Sequence, residues 1–232
     1  MRITWFGHSA FKLEFGKTGI LIDPFVTGSG YQGELDEVTR GVTHILLTHG
    51  HSDHVGDTVD FAKKTGATLV SSFEVVNWLN GQGVEKIEPM NTGGSVKLDG
   101  FTVTLVQAFH SSGDLVNGVY AQLGHPNGII VEAPGEPTVY AMGDTGLFSD
   151  IKLIQELYNP KVAFVPIGDR FTMGPRTAAY AVNNFLDVET VVPCHYATFG
   201  LLVPDAEGFK AQVTKAKSKV VVPEKGKAFE VK

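Results

Sequence analysis

At 232 residues and a formal net charge of −6, the chain is long enough to bury a sizeable core without disulfide or structural-metal staples. Its 43% hydrophobic and 19% charged residues are those of a water-borne globular protein, and no apolar run approaches the ~20 residues needed to span a bilayer. Lysines concentrate only at Lys210, Lys215, Lys217 and Lys219, which read as one solvated helix face, so a phosphate-binding nucleic-acid surface is not expected.

A single cysteine, Cys194, excludes an intrachain disulfide and suggests a reducing compartment. Met1 to Phe6 alternates like a strand rather than a leader peptide, so the expected location is the cytoplasm. The expected partner is a small-molecule substrate, with no nucleic acid, no membrane, and self-association left open.

The first third reads as short strands, Ile3 to Phe6, Ala10 to Phe15 and Gly19 to Ile22, the last ended by Asp23-Pro24. Gly28 to Gly33 lacks a P-loop lysine and a strand-to-helix setting, so it reads as a plain loop. His44 to Leu47 is a buried strand, after which Asp53 caps a helix running to about Lys64. Ala67 to Val70 is a strand and Phe73 to Leu79 a short helix. Gly93 to Gln107 is a hairpin turning at Asp99-Gly100. Val119 to Leu123, Gly128 to Glu132 and Thr138 to Ala141 continue the strands.

Helix then alternates with strand: a helix over Asp150 to Tyr158, a strand over Lys161 to Val165 and a helix over Pro175 to Phe185. A strand over Thr190 to Val192, a helix over Asp205 to Lys217 and strands over Val220 to Val222 and Ala228 to Val231 close the chain. With no low-complexity linker and no short repeat, the expectation is one α/β domain over residues 1–232, two sheets with helices packed outside.

Chemistry concentrates in His49-Gly50-His51-Ser52-Asp53-His54, directly after a buried strand. Side chains at i and i+2 of an extended segment point the same way, so His49 and His51 converge on one ion. Asp53 and His54 sit where the chain turns into a helix and can face a second ion. Imidazole and carboxylate donors at this density suit zinc, manganese or iron. Three further ligand-type residues each follow an apolar strand: His110 after Phe101 to Ala108, Asp144 after Val139 to Met142, and His195 after Val191-Val192-Pro193-Cys194.

His49-x-His51-x-Asp53-His54 followed by His110, Asp144 and His195 resembles the metallo-β-lactamase superfamily. Trp5-Phe6-Gly7-His8-Ser9, Leu21-Ile22-Asp23-Pro24-Phe25 and Pro166-Ile167-Gly168-Asp169-Arg170-Phe171-Thr172-Met173-Gly174-Pro175 resemble its UPF0173 group, related to lactonases of the UlaG type. The resemblance covers essentially the whole chain. It implies a four-layer αββα sandwich of two mixed sheets and a binuclear hydrolase with two divalent ions, zinc or manganese foremost. It implies His49, His51 and His110 on the first ion, Asp53, His54 and His195 on the second, and Asp144 bridging them.

On this reading a hydroxide held between the ions attacks a small ester, lactone or phosphoester, and Asp53 orients it and moves its proton. Asp23 is expected to take a histidine N–H beside the metals. His8 is expected near the site without being a ligand. Arg170 and Arg176 border the cleft and would favour an anionic substrate if they face inward. His44, His125 and Cys194 are assigned to structure. Other readings are a β-lactamase, an RNA-processing nuclease, a di-iron redox protein, or a metal-binding scaffold without turnover.

Overall fold

The computed structural model describes residues 1–116 and 118–232. In chain order, β1 (Arg2–Gly7), β2 (Ala10–Phe15) and β3 (Thr18–Ile22) precede α1 (Leu35–Thr39) and β4 (His44–Leu46). Then come α2 (Ser52–Val55), α3 (Thr58–Thr65), β5 (Thr68–Ser72), α4 (Phe73–Asn80) and β6 (Ile87–Met90). β7 (Ser95–Leu98), β8 (Phe101–Gln107), β9 (Gly113–Val116), β10 (Val119–Gln122), β11 (Asn127–Glu132) and β12 (Val139–Ala141) follow. The chain ends with α5 (Ile151–Tyr158), β13 (Val162–Pro166), α6 (Pro175–Asn184), β14 (Thr190–Cys194), α7 (Glu207–Lys210), β15 (Lys219–Val220) and β16 (Ala228–Glu230).

Two seven-stranded mixed sheets result, ordered β16-β1-β2-β3-β4-β5-β6 and β15-β14-β13-β12-β11-β8-β7, with β9 and β10 as a separate hairpin. Alternation along the strands decides which side chains go where. Ile20, Ile22 and Leu46 enter the core shared with the second sheet, while Leu21, Ile45 and Leu47 face a second core built with α1, α3 and α4. Between the sheets, Phe11 of β2 stacks on Phe164 of β13 with ring centroids 3.8 Å apart. Helices α5, α6 and α7 add Ile151, Ile154, Ala178, Val182 and Phe209 to the core on the second sheet's side. The layers are therefore αββα. No helix among the described residues is long and apolar enough to cross a membrane.

Strand direction brings six loops to one edge. β2 is antiparallel to both β1 and β3, and β4 is parallel to β3, so β1, β3 and β4 all end on the same side. In the other sheet β8 and β12 are both antiparallel to β11, with β13 and β14 parallel to β12, so β8, β12 and β14 also share an end.

Two expected helices differ. The helix from Asp53 to Lys64 is broken into α2 and α3 at Gly56, whose φ is +40°. A Cβ on Gly56 would lie 2.5 Å from Phe25 Cα, so the chain can pass there only as glycine. Asp57 then accepts from the N–H groups of Val26 and Thr27 at 2.8 and 2.9 Å, which docks the break on the β3 exit loop. Asp53 lies inside α2 and caps nothing. The helix expected over Asp205 to Lys217 is reduced to α7, because Asn183 Oδ1 accepts from the N–H groups of Thr214 and Lys215 and draws the chain out of helical register. Strands β6 and β9 and helix α1 are additional to the elements expected from the sequence.

Candidate metal centre

Six of the strands that end at the shared edge are each followed by a side chain of the site. His8 follows β1, Asp23 follows β3 and the His49 segment follows β4 from one sheet; His110, Asp144 and His195 follow β8, β12 and β14 from the other. The two halves are stitched by backbone: His195 N–H donates to His8 O and Asn127 N–H to Thr48 O, each at 3.0 Å. His8, Asp23 and His195 all take positive φ, +49°, +44° and +58°. Such left-handed backbone costs a non-glycine residue about 1–3 kcal/mol, so three such residues at one edge mark strain held in place by the surrounding contacts.

Two groups of donor atoms result. His49 Nε2 lies 2.9 Å from His51 Nδ1, and His110 offers a nitrogen to the same group. Asp53, His54, His195 and His8 form the second group, with His8 Nε2 3.0 Å and His195 Nε2 3.6 Å from Asp53 Oδ2. Asp144 stands between them. Its Oδ1 is 3.2 Å from His54 Nε2, and its Oδ2 is 3.0 Å from His195 Nε2 and 3.5 Å from His110 Nε2.

Asp23 sets the outward-facing hydrogen bonds. It accepts from Thr48 N–H at 2.8 Å, from the Thr48 hydroxyl at 2.7 Å and from His54 Nδ1 at 2.7 Å. With its hydrogen on Asp23, the Thr48 oxygen accepts from His49 Nδ1 at 2.9 Å. One carboxylate thus orients two imidazoles so that both Nε2 atoms face the centre.

Electrostatics fit a site for cations. Burial pushes the His49 imidazole well below its ordinary range and His8 down to about 4, so both are neutral. Burial would do the same to His54 and His195. Their carboxylate partners, Asp144 foremost, reverse it and hold His54 well above the usual imidazole range and His195 up at about 9. Asp144 itself is buried, yet His195 and His54 keep it well below the usual carboxylate range. The carboxylates therefore draw positive charge into a space that burial would otherwise keep neutral.

The residues fit divalent ions on a separate observation. His54 Nε2, Asp144 Oδ1 and both nitrogens of His195 are buried without an aligned hydrogen-bond partner. Orphaned buried polar atoms cost roughly 1–3 kcal/mol each, and three of these point into the two donor groups. Two atoms that share a zinc ion at about 2.0–2.1 Å stand roughly 3 Å apart, the spacing found here.

The structure brings His8, Asp23, His49, His51, Asp53, His54, His110, Asp144 and His195 to one place. Arg170 is exposed and makes no ion pair or side-chain hydrogen bond among the described residues. Arg176 is likewise exposed, beside Leu147 and Tyr180. His44 packs its ring edge-on to Phe101, His125 is exposed in its turn, and Cys194 is buried. Sequence reasoning missed Thr48, Ser112 and Thr198. Ser112 accepts from Gly50 N–H at 3.0 Å and donates to Leu123 O at 2.8 Å, pinning the histidine segment to the β9–β10 hairpin. The only signal was that Thr48 and Ser112 lie within two residues of a ligand-type histidine.

Gly168 supplies the space for His195: a Cβ there would lie 2.2 Å from His195 O and 2.9 Å from His195 Nδ1. Gly168→Ala is expected to cost about 1–3 kcal/mol of stability and to weaken metal binding. Urea unfolding and metal titration check this, and wild-type values for both would show that the loop yields.

A family model described as a beta-lactamase superfamily domain matches residues 18–196. A UPF0173 metal-dependent hydrolase of Azorhizobium caulinodans is 59% identical over 238 residues, covering all of both chains. The chain belongs to this family of metal-dependent hydrolases. A second UPF0173 member, from Methylobacterium nodulans, is 52% identical over 235 residues, again with both chains fully covered. Among solved structures, Igni18, a metallo hydrolase of the archaeon Ignicoccus hospitalis, is 38% identical and covers 100% of this chain and 99% of its own, with a TM-score of 0.88. An isothiocyanate hydrolase from Delia radicum gut bacteria has a TM-score of 0.77 at 19% identity, a likeness of fold alone.

Proposed function

We propose that this UPF0173 member hydrolyses a small ester, lactone or phosphoester at a centre of two divalent ions, zinc or manganese, with iron compatible with the same donors. His49, His51 and His110 hold the first ion and Asp53, His54 and His195 the second, with Asp144 between them. The observation that carries this reading is the Asp144 carboxylate, whose two oxygens face His54 on one side and His195 and His110 on the other.

Bound ions of this kind lower the pKa of water from near 16 toward about 7 and polarise the oxygen of the scissile group. The protein's own residues do the rest. His51, Asp53 and His110 are only partly buried and form the open side where a substrate enters. Asp53 is the carboxylate at that opening, so it orients the attacking water, accepts its proton and returns it to the leaving group. Buried His49, His54 and Asp144 keep solvent from the far side. The lone buried Cys194 and the charge of −6 suit work in the cytoplasm on a small molecule rather than on nucleic acid.

The test is to strip the protein, reload it separately with zinc, manganese or ferrous iron, count ions per chain, and assay an ester, lactone and phosphoester panel. The expected result is two ions per chain and turnover only in the loaded forms. Saturation at one ion would overturn the binuclear reading. Two ions without turnover on any of the three classes would overturn the substrate class.

A further inference from the structure

His8 is fully buried on the β1–β2 turn, and the metal-holding assignments above leave it without a role. Its backbone is strained at φ +49°, and its carbonyl is held from two sides, by Trp5 Nε1 and by His195 N–H, each at 3.0 Å. Its ring sits 4.1 Å from the His195 ring, with Phe25 and Phe199 edge-on at 5.7 and 5.3 Å. A ring fixed by this many neighbours has one orientation. In that orientation Nε2 meets Asp53 Oδ2 at 3.0 Å and Nδ1 meets Thr198 Oγ1 at 3.0 Å.

The carboxylate settles the hydrogens. An ionised carboxylate only accepts, so Nε2 carries the hydrogen and donates to Asp53. Nδ1 is then an acceptor, and the single Thr198 hydroxyl hydrogen turns to it at 3.0 Å rather than to Tyr196 O at 3.2 Å. We infer that His8, backed by Thr198, is the positioning residue of Asp53: it fixes the rotation of that carboxylate toward His54 and His195.

Asp53 needs such a restraint. Its side chain is about one-quarter exposed, whereas Asp144 is 2% exposed and lies among three histidines. Its contact to His195 Nε2 is longer, at 3.6 Å, so His8 at 3.0 Å is the nearer restraint that keeps this partly exposed acid from turning to solvent. The inference rests on the reading of Asp53 as a metal-holding residue. It goes beyond that reading by giving His8 a donor's task, distinct from coordination, and by making the loop that carries Thr198 part of the site.

The experiment is a metal titration of the stripped protein, zinc and manganese in turn, for wild type, His8→Ala, His8→Gln and Thr198→Val. Outer hydrogen-bond partners of metal ligands are typically worth 10–100-fold in affinity. His8→Ala is expected to lose about that much for one ion and nothing for the other. His8→Gln keeps an N–H donor and is expected to recover most of the loss. Thr198→Val keeps the shape, removes the hydroxyl, and is expected to weaken the same ion by a few-fold.

Wild-type affinity in His8→Ala would overturn the proposal, whatever the stoichiometry. A loss in which Gln is no better than Ala would overturn it too, since a ligand role or a packing role predicts that result. If His8→Ala does not fold, Thr198→Val decides, and an unchanged affinity there counts against the proposal. The binuclear reading is tested separately, by the number of ions that wild type binds.

Discussion

Asp144→Ala is expected to lower kcat/KM by on the order of 1,000-fold or more and to leave the protein short of metal. That rate corresponds to about 4 kcal/mol, the scale of the transition-state stabilisation that a metal clamp supplies. The reason is positional. Among the described residues, Asp144 is the one carboxylate whose two oxygens reach both donor groups, at 3.0 to 3.5 Å from His54, His110 and His195. Without it, Asp53 is left as the lone carboxylate, within the second group, no negative charge stands between the two groups, and two divalent ions would repel. Asp144→Asn separates shape from charge: the amide fills the space but brings no charge, so it is expected to behave like Ala. Metal counting by elemental analysis, with initial rates on the best substrate, checks both variants. Full occupancy in Asp144→Ala would remove the bridging role.

Asp23→Ala is expected to destabilise the protein by about 3 kcal/mol and to weaken metal binding by 10–100-fold. Asp23 is 1% exposed and accepts three hydrogen bonds, two from Thr48 and one from His54. Deleting the acceptor leaves the Thr48 N–H and His54 Nδ1 buried without partners, and each such group costs roughly 1–3 kcal/mol. For a chain of this size, each kcal/mol moves the melting temperature by about 2–4 °C, so a fall of roughly 6–12 °C is expected. The affinity loss has a separate origin. His49 and His54 both present Nε2 to the centre because Asp23, directly and through Thr48, takes the other side of each ring. Melting of the stripped protein isolates the first effect, and metal titration reads the second. An unchanged melting temperature would mean that solvent reaches these groups.

The candidate site was unusually legible in the sequence because its side chains sit at strand ends. An apolar run that stops at His110, Asp144 or His195 announces both a buried strand and a polar residue delivered to its end. His49 to His54 was legible through density alone. Thr48, Thr198 and Ser112 were not, because a single hydroxyl beside a histidine has no pattern, and its partner lies tens of residues away. Arg170 had only a conditional place at the cleft, because a motif does not say which way a loop side chain faces; in the fold it is exposed.

Helix boundaries failed where distant contacts override local preference. Asp53 begins a respectable helix by propensity, yet Gly56 meets the backbone of Phe25, thirty-one residues earlier, and breaks it. Residues 211–217 alternate acceptably for a helix, yet Asn183 takes the N–H groups of Thr214 and Lys215.

Periodicity and strand-end residues determined the layered α/β architecture, the donor types and their order along the chain, since burial patterns and ligand chemistry are local properties of a segment. Tertiary structure alone decided that Asp144 faces both donor groups, that Asp23 orients two imidazoles, and that His8 touches Asp53. Those facts depend on strand direction in two separate sheets, and on how six loops meet once the sheets are packed face to face.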